Sequence, residues 1–211
     1  MLVGGSGLYI WSVLEGWRIP QVPPDPALRR SLEDTAEREG VDILYQQLES
    51  IDPEAASKID RRNVRRVIRA LEVCQAIGSF SQIQGKEPPG FQILLLGLTT
   101  DREELYRRID QRVDDMIEQG LVEEVKGLVD RGYGFELPAM SSVGYKQMGR
   151  FLQGEVDLPA AIEQTKLETH RLARQQYAWF RQDDLRIHWF DIQEQVEEKI
   201  IPLMECEIAK F

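Results

Sequence analysis

Between Asn63 and Gln75 the apolar residues Val64, Val67, Ile68, Leu71 and Cys74 recur every three or four positions, which lines them up as one stripe of an α-helix. Leu28 and Leu32, then Ile43, Leu44 and Leu48, carry the same spacing upstream. Asp25-Pro26 and Asp52-Pro53 each set a capping carboxylate before a proline suited to the first helical turn, so each predicts a helix start. Gly78, the polar run to Gly85, and Pro88-Pro89-Gly90 interrupt the pattern and predict a loop. Residues 25–90 therefore read as a small all-helical module.

A different pattern opens at Phe91. The apolar run to Leu98, flanked by breakers, predicts a strand buried on both faces. Thr99-Thr100-Asp101 predicts a helix cap, with Glu103 and Glu104 placed for a capping box. Leu105, Ile109, Val113 and Met116/Ile117 form that helix's apolar stripe; Gly120 interrupts it and Leu121 to Arg131 resumes before Gly132. A long helix from about Pro159 to Phe180, a short strand Ile187 to Phe190 and a terminal helix follow. At the other end, Leu2-Val3 reads as the end of a buried strand that runs into the turn Gly4-Gly5-Ser6-Gly7. Leu8 to Leu14 then predicts a helix stopped by Gly16, and Pro20, Pro23 and Pro24 an extended connector. The simplest architecture is an α/β core formed by 1–24 and 91–211, with the helical module 25–90 inserted.

Composition adds little to this and excludes some classes. The 211 residues are 42% apolar and 29% charged, an ordinary globular balance. No apolar run approaches the length of a membrane span, and no basic-then-apolar leader is present. Cys74 and Cys206 stand far apart without partner spacing, so a reduced cytoplasmic protein is expected. The net charge of −10 argues against a polyanionic partner, but phosphate contacts are local, and the arginines are clustered.

Three clusters could carry chemistry. Arg61, Arg62, Arg65, Arg66 and Arg69 repel one another with only Asp60 and Glu72 near them in sequence, which suits a docking phosphate chain or, equally, a solvated face paired with acids elsewhere. Lys166, His170, Arg171, Arg174, Gln176, Tyr177, Trp179, Phe180 and Arg181 interleave cations with flat rings, a pattern that fits an unstacked RNA base or a buried helix end with snorkelling arginines. Arg108 and Arg112 lie one turn apart on the helix after the strand, which suits a diphosphate or local ion pairs with Asp101, Glu104 or Asp115. The glycine turn is no Walker loop, since no Lys-Ser/Thr follows, yet it could bring a hydroxyl and backbone N–H groups to an anion. His170 and His188 lack a second ligand at metal spacing. No acid–base residue stands out.

The ordered set of motifs resembles the tRNA dimethylallyltransferase family. Leu2-Val3-Gly4-Gly5-Ser6-Gly7-Leu8-Tyr9, Asp25-Pro26 with Arg29, Asp52-Pro53 with Ala55-Ala56, and Arg69-Ala70-Leu71-Glu72-Val73 follow the family's order. Arg108-Ile109 with Arg112 and Met116, then Val143-Gly144-Tyr145-Lys146-Gln147, and Arg174 through Trp179-Phe180-Arg181 complete it. The resemblance implies an incomplete P-loop-hydrolase-like α/β core with a helical C-terminus. It implies transfer of a dimethylallyl group from dimethylallyl diphosphate to N6 of the adenosine 3′ of the anticodon in tRNA, with Mg2+ on the diphosphate, no membrane, and a monomeric intact enzyme. By position, Ser6 and Arg112 would be catalytic, and Arg112 with Arg108 would hold the diphosphate. Arg29, the run Arg65, Arg66, Val67, Ile68 and Arg69, and Ser141, Ser142, Val143, Gly144, Tyr145 and Lys146 would meet the tRNA anticodon stem-loop. Arg174, Gln175, Gln176, Tyr177, Ala178, Trp179, Phe180 and Arg181 would join them.

Departures are Ser6 in place of threonine, and His170 and Gln175 where the family often has arginine. The family's phosphate loop and general-base aspartate would lie ahead of residue 1, so this chain is expected to bind RNA weakly and to turn over nothing alone. The rival expectations are a prenyltransferase acting on free adenylate and a non-catalytic RNA-binding remnant.

Overall fold

The computed structural model describes residues 1–83 and 85–209, in two compact units. One is Leu8–Gln92; the other joins Met1–Gly7 to Ile93–Phe211. The sequence expectation placed residues 8–24 with the core, whereas they belong here to the helical unit. Backbone hydrogen bonds explain why: the Arg18 N–H donates to the Gly85 carbonyl (2.8 Å) and the Glu87 N–H to that of Gly16 (2.8 Å), while Lys86 pairs with Glu15. Gly16 has φ +58°, and a Cβ there would stand 1.6 Å from the Glu87 carbonyl oxygen, so only glycine fits this crossing.

The first unit holds α1 (Gly7–Leu14, which begins at the boundary), α2 (Pro26–Glu39), α3 (Val41–Ile51), α4 (Pro53–Lys58) and α5 (Val64–Ile77). The Asp25 carboxylate caps α2 through the amides of Ala27 and Leu28, and Asn63 caps α5 through that of Arg66. Asp52 does more than cap α4. Its Oδ1 accepts from the Ala55 amide, and its Oδ2 from the amides of Phe80 and Ser81 and the Ser79 hydroxyl, at 2.8 to 2.9 Å. Burial alone would raise its pKa; these donors outweigh that and hold the carboxyl well below the usual range. Of the predicted stripes, Leu32, Leu44, Leu48, Val67, Ile68, Leu71 and Cys74 are core, joined by Ala55, Ala56 and Ala70; Leu28 and Val64 are partly buried against it and Ile43 is exposed. Leu44 and Leu48 are fully buried, each contributing roughly 1.5–3 kcal/mol of transfer free energy.

The second unit holds β1 (Leu95–Thr99), α6 (Arg102–Glu118), α7 (Leu121–Asp130), α8 (Tyr145–Leu152), α9 (Leu158–Trp179), β2 (Ile187–Asp191) and α10 (Val196–Ile208). β1 and β2 pair in parallel, Leu95 opposite Ile187 through Thr99 opposite Asp191. A parallel pair joined by helices is the unit of α/β folds. The strand is shorter than expected and is not buried on both faces: Phe91 and Ile93 are exposed, and Leu98 is 59% exposed. Among the described residues the sheet has only these two strands, and most of their positions are half-buried.

Leu2 and Val3 form no strand among the described residues and are exposed. Asp101 caps α6 alone through the amides of Glu103 and Glu104, because the Glu104 carboxylate turns forward onto Arg107 and Arg108 instead of closing a capping box. A core of Leu121, Val125, Met140, Met148 and Ala161 joins α7, α8 and α9. The sequence pattern did not announce α8. Gly149 lies inside it, where a Cβ would meet the Phe135 ring at 2.7 Å, so close packing displaces helix propensity.

Candidate functional site

In the helical unit the chemistry centres on Glu72, whose side chain is only 2% exposed. Arg29 grips it with two parallel bonds, Nε to Oε1 at 2.9 Å and Nη2 to Oε2 at 2.8 Å. The Asp25 amide donates to Oε1 at 2.6 Å, and Arg69 Nη1 donates to Oε2. Arg69 also donates from Nη2 to the Val22 carbonyl at 2.9 Å. Burial pushes the Glu72 pKa up, but the donations from Arg29, the Asp25 amide and Arg69 prevail and hold it at about 2. The remaining arginines divide further. Arg61 lies 4.0 Å from Asp42, and Arg62 pairs with Asp60 at 3.2 Å. Arg65 and Arg66 are exposed, with no ion-pair partner among the described residues, and Val67 and Ile68 between them and Arg69 are core.

In the other unit the glycine turn rests on the C-terminal part of α9. A Cβ at Gly5 would stand 2.4 Å from Gln176 Nε2, and one at Gly7 would stand 2.1 Å from Trp179 Cγ. The two glycines permit this approach, and between them Ser6 is exposed. Two motif stretches far apart in sequence, 4–7 and 174–181, thus meet. Along the latter, Gln175, Gln176 and Ala178 are exposed, Tyr177 and Phe180 are half-buried, and Trp179 is 38% exposed. Arg181 is taken by Asp183 at 2.8 Å.

α9 is held to α6 by a polar ladder. Lys166 Nζ lies 2.7 Å from Asp114 Oδ1, and the bond to Asp114 raises the Lys166 pKa. The His170 ring stacks on Tyr106 with centroids 4.1 Å apart and planes 12° from parallel. Its Nε2 lies 2.8 Å from Asp110 Oδ1, yet neither atom completes a hydrogen bond of good angle. Arg174 Nη1 donates to the Tyr106 hydroxyl at 3.1 Å. Part of the basic–aromatic cluster is therefore interhelical glue, with Arg171 and Gln175 left outward.

On α6, Arg112 is exposed and has no ion-pair partner among the described residues, whereas Arg108 Nε donates to Glu104 Oε1 at 2.6 Å. Arg107 grips the same carboxylate at 2.8 Å through both Nε and Nη2. Hydrogen bonds from Arg107 and then Arg108 lower the Glu104 pKa to about 2. In the 141–146 turn, Ser141 and Ser142 donate their hydroxyls to the carbonyls of Pro138 and Ala139 at 2.7 and 2.8 Å. Gly144, at φ +97°, donates its N–H to Gln147 Oε1 at 2.9 Å, and the Tyr145 hydroxyl donates to Glu124. Val143 is half-buried and Lys146 is the exposed cation of this turn. Among the described residues no group of three or more His, Cys, Asp or Glu is placed to hold a metal ion.

The family model for IPP transferase matches residues 1–183. The chain belongs to the IPP transferase family. It is 49% identical over 210 residues to a tRNA dimethylallyltransferase of Dehalococcoides mccartyi, covering 99% of this chain and 65% of the relative. It is 52% identical over 188 residues to the enzyme of that name from Herpetosiphon aurantiacus, covering 89% and 60%. Among solved structures it resembles the full-length tRNA isopentenylpyrophosphate transferase of Bacillus halodurans, with TM-score 0.61, 37% identity, and coverage of 99% of this chain and 65% of that one. It also resembles a eukaryotic dimethylallyltransferase described as acting on tRNA, with TM-score 0.71, 25% identity and coverage of 99% and 56%. The chain spans 60 to 65% of the length of these two curated relatives. The α/β fold expected from sequence agrees with these neighbours.

The sequence reading missed the clamp on Glu72, the part of Tyr106 and the lock by Gln147. Glu72 alone left a signal, as an acid set between apolar residues three positions beyond an arginine run.

Proposed function

We propose that this chain forms the tRNA-engaging and diphosphate-facing part of a tRNA dimethylallyltransferase. In that reaction N6 of an adenosine beside the anticodon bonds to the allylic carbon of dimethylallyl diphosphate. The carbon–oxygen bond breaks with its electron pair leaving on the diphosphate, and N6 gives up a proton. The observation that carries the reading is the seating of the Ser6 turn on Gln176 and Trp179. The turn that carries the exposed Ser6 thereby lies against a helix that bears a partly exposed ring, Trp179, and the exposed Arg171 and Arg174, groups of the kind an extruded adenine and its phosphates would meet. Ser6 and Arg112 are read as catalytic, with Arg112 answering the charge that develops on the leaving diphosphate and Arg108 beside it. Mg2+, where the diphosphate brings it, would supply further charge neutralisation.

Arg65 and Arg66, the 141–146 turn with Lys146, and the 174–181 stretch are read as tRNA contacts. Of the arginines expected to meet tRNA, Arg69 is the one most engaged internally. The test is binding of an anticodon stem-loop RNA across a salt series. Replacing Arg65 and Arg66 by glutamine should lower the log–log salt slope by roughly 0.7 to 0.9 for each phosphate that is no longer neutralised. An unchanged slope refutes the helical unit as an RNA surface. Displacement of the RNA by millimolar AMP would point to a free-nucleotide acceptor instead.

A further inference from the structure

Arg29 and Arg69 share Glu72, but their guanidiniums are spent differently. Arg69 gives Nη1 to Glu72 and Nη2 to the Val22 carbonyl, with the Pro20 carbonyl at 3.4 Å, which ties it to the proline connector. Arg29 gives Nε and Nη2 to the two carboxylate oxygens and nothing else; its Nη1 has no hydrogen-bond partner among the described residues, and its side chain is 39% exposed. We propose that Glu72 is a positioning residue that fixes Arg29 with its outer edge presented to an RNA backbone phosphate. The proposal rests on the reading that the helical unit engages tRNA.

A free arginine gives up most of its rotamer freedom when it clamps a phosphate; Arg29 has already given it up on folding. Its planar fork divides the work, one edge bidentate on the carboxylate and the other open to solvent. The cluster of two guanidiniums and one carboxylate keeps a net positive charge, so the clamp orients the site without cancelling it. Arg65, Arg69 and Glu72 follow i, i+4, i+7, which puts the exposed Arg65 one turn from Arg69 on the same face of α5.

Glu72→Gln separates this from a simple count of charges. The substitution removes a negative charge, so long-range attraction alone would tighten RNA binding. Loss of positioning weakens it. The measurement is fluorescence anisotropy of a labelled anticodon stem-loop titrated with the 211-residue chain at several salt concentrations. Glu72→Gln should bind about five- to tenfold more weakly than wild type, and Arg29→Gln should lower the log–log slope by about 0.7 to 0.9. The double variant should bind no more weakly than Arg29→Gln. Equal or tighter binding by a folded Glu72→Gln overturns the proposal, as does an unchanged slope in Arg29→Gln. If Glu72→Gln loses its helical circular dichroism, the Arg29→Gln slope decides alone. A slope lowered by Arg65→Gln but not by Arg29→Gln sinks only this inference. A slope that neither changes sinks the RNA reading of the helical unit with it.

Discussion

Glu72→Gln also tests how much of the helical unit's stability is electrostatic. The carboxylate is 2% exposed and accepts from two guanidiniums and one backbone amide. Its pKa falls from the ordinary 4.5 to about 2, the donors overcoming the opposite effect of burial. A folded pKa below the unfolded one means that the unfolded chain takes up the proton more readily. The clamp's contribution is therefore complete above about pH 4.5 and is lost as pH falls towards 2. At about 1.36 kcal/mol per pH unit, the difference between 4.5 and about 2 corresponds to about 3 kcal/mol. Glutamine keeps one acceptor oxygen and no charge, so at neutral pH the variant should be less stable by about that amount. Urea denaturation followed by far-ultraviolet circular dichroism measures the gap between the two proteins. It should hold steady from about pH 7 to pH 5 and shrink steadily towards pH 3. A gap that persists unchanged at the acid end would show that the clamp acts by shape and not by charge.

Asp52→Ala removes an acceptor from three backbone amides and one hydroxyl around a nearly buried site, and should cost about 3 kcal/mol in the same denaturation assay, with Asp52→Asn intermediate. A loss under about 1 kcal/mol would mean that water replaces the carboxylate. Gly7→Ala drives a methyl into the Trp179 ring and should cost about 2 kcal/mol; Gly5→Ala meets only the flexible end of Gln176 and should cost less than about 1 kcal/mol. Trp179→Ala in the Gly7→Ala background should recover part of the loss, and equal costs at both glycines would refute the close approach of Gly7 to the ring.

Helices α2 and α4 were legible because a capping aspartate and a first-turn proline coincide at each start, and α5 because its apolar stripe has a period near 3.6. Helix α3, entered through Gly40 without a side-chain cap, left only its apolar spacing. The burial of β1 was not. An apolar run such as Phe91 to Leu98 states what the segment would bury, while the neighbouring strands decide what it does bury, and only β2 pairs with it among the described residues. The site was legible as a set of residue types and not as their pairings. Five arginines in one stretch look alike in sequence. Which of them is free depends on Asp42 and Val22, contributed by segments that only the folded chain brings to α5. The packing of Gly5 and Gly7 on α9 carries no local signature beyond small residues at a turn.

The arginines of α6 show how that sorting decides chemistry. Arg108 and Arg112 are one turn apart and were equal candidates by spacing, but Arg108 shares Glu104 with Arg107 while Arg112 has no ion pair among the described residues. A diphosphate approaching this face must take Arg108 from a carboxylate, whereas it displaces nothing at Arg112. Arg112→Ala should therefore weaken binding of inorganic pyrophosphate about tenfold at low ionic strength, and Arg108→Ala should change it little. Glu104→Gln should tighten it, because the competing acceptor loses its charge and Arg108 becomes available. Its carboxyl, at about 2, stays ionised through the neutral range, so this competition does not relax with ordinary changes of pH. The decisive comparison is Arg108→Ala in the Glu104→Gln background, measured by isothermal titration. There the arginine should matter as it does not in the wild-type chain. If Arg108→Ala costs as much as Arg112→Ala while Glu104 is intact, the ion pair is no barrier to the ligand, and the ranking of the two arginines from their partners is wrong.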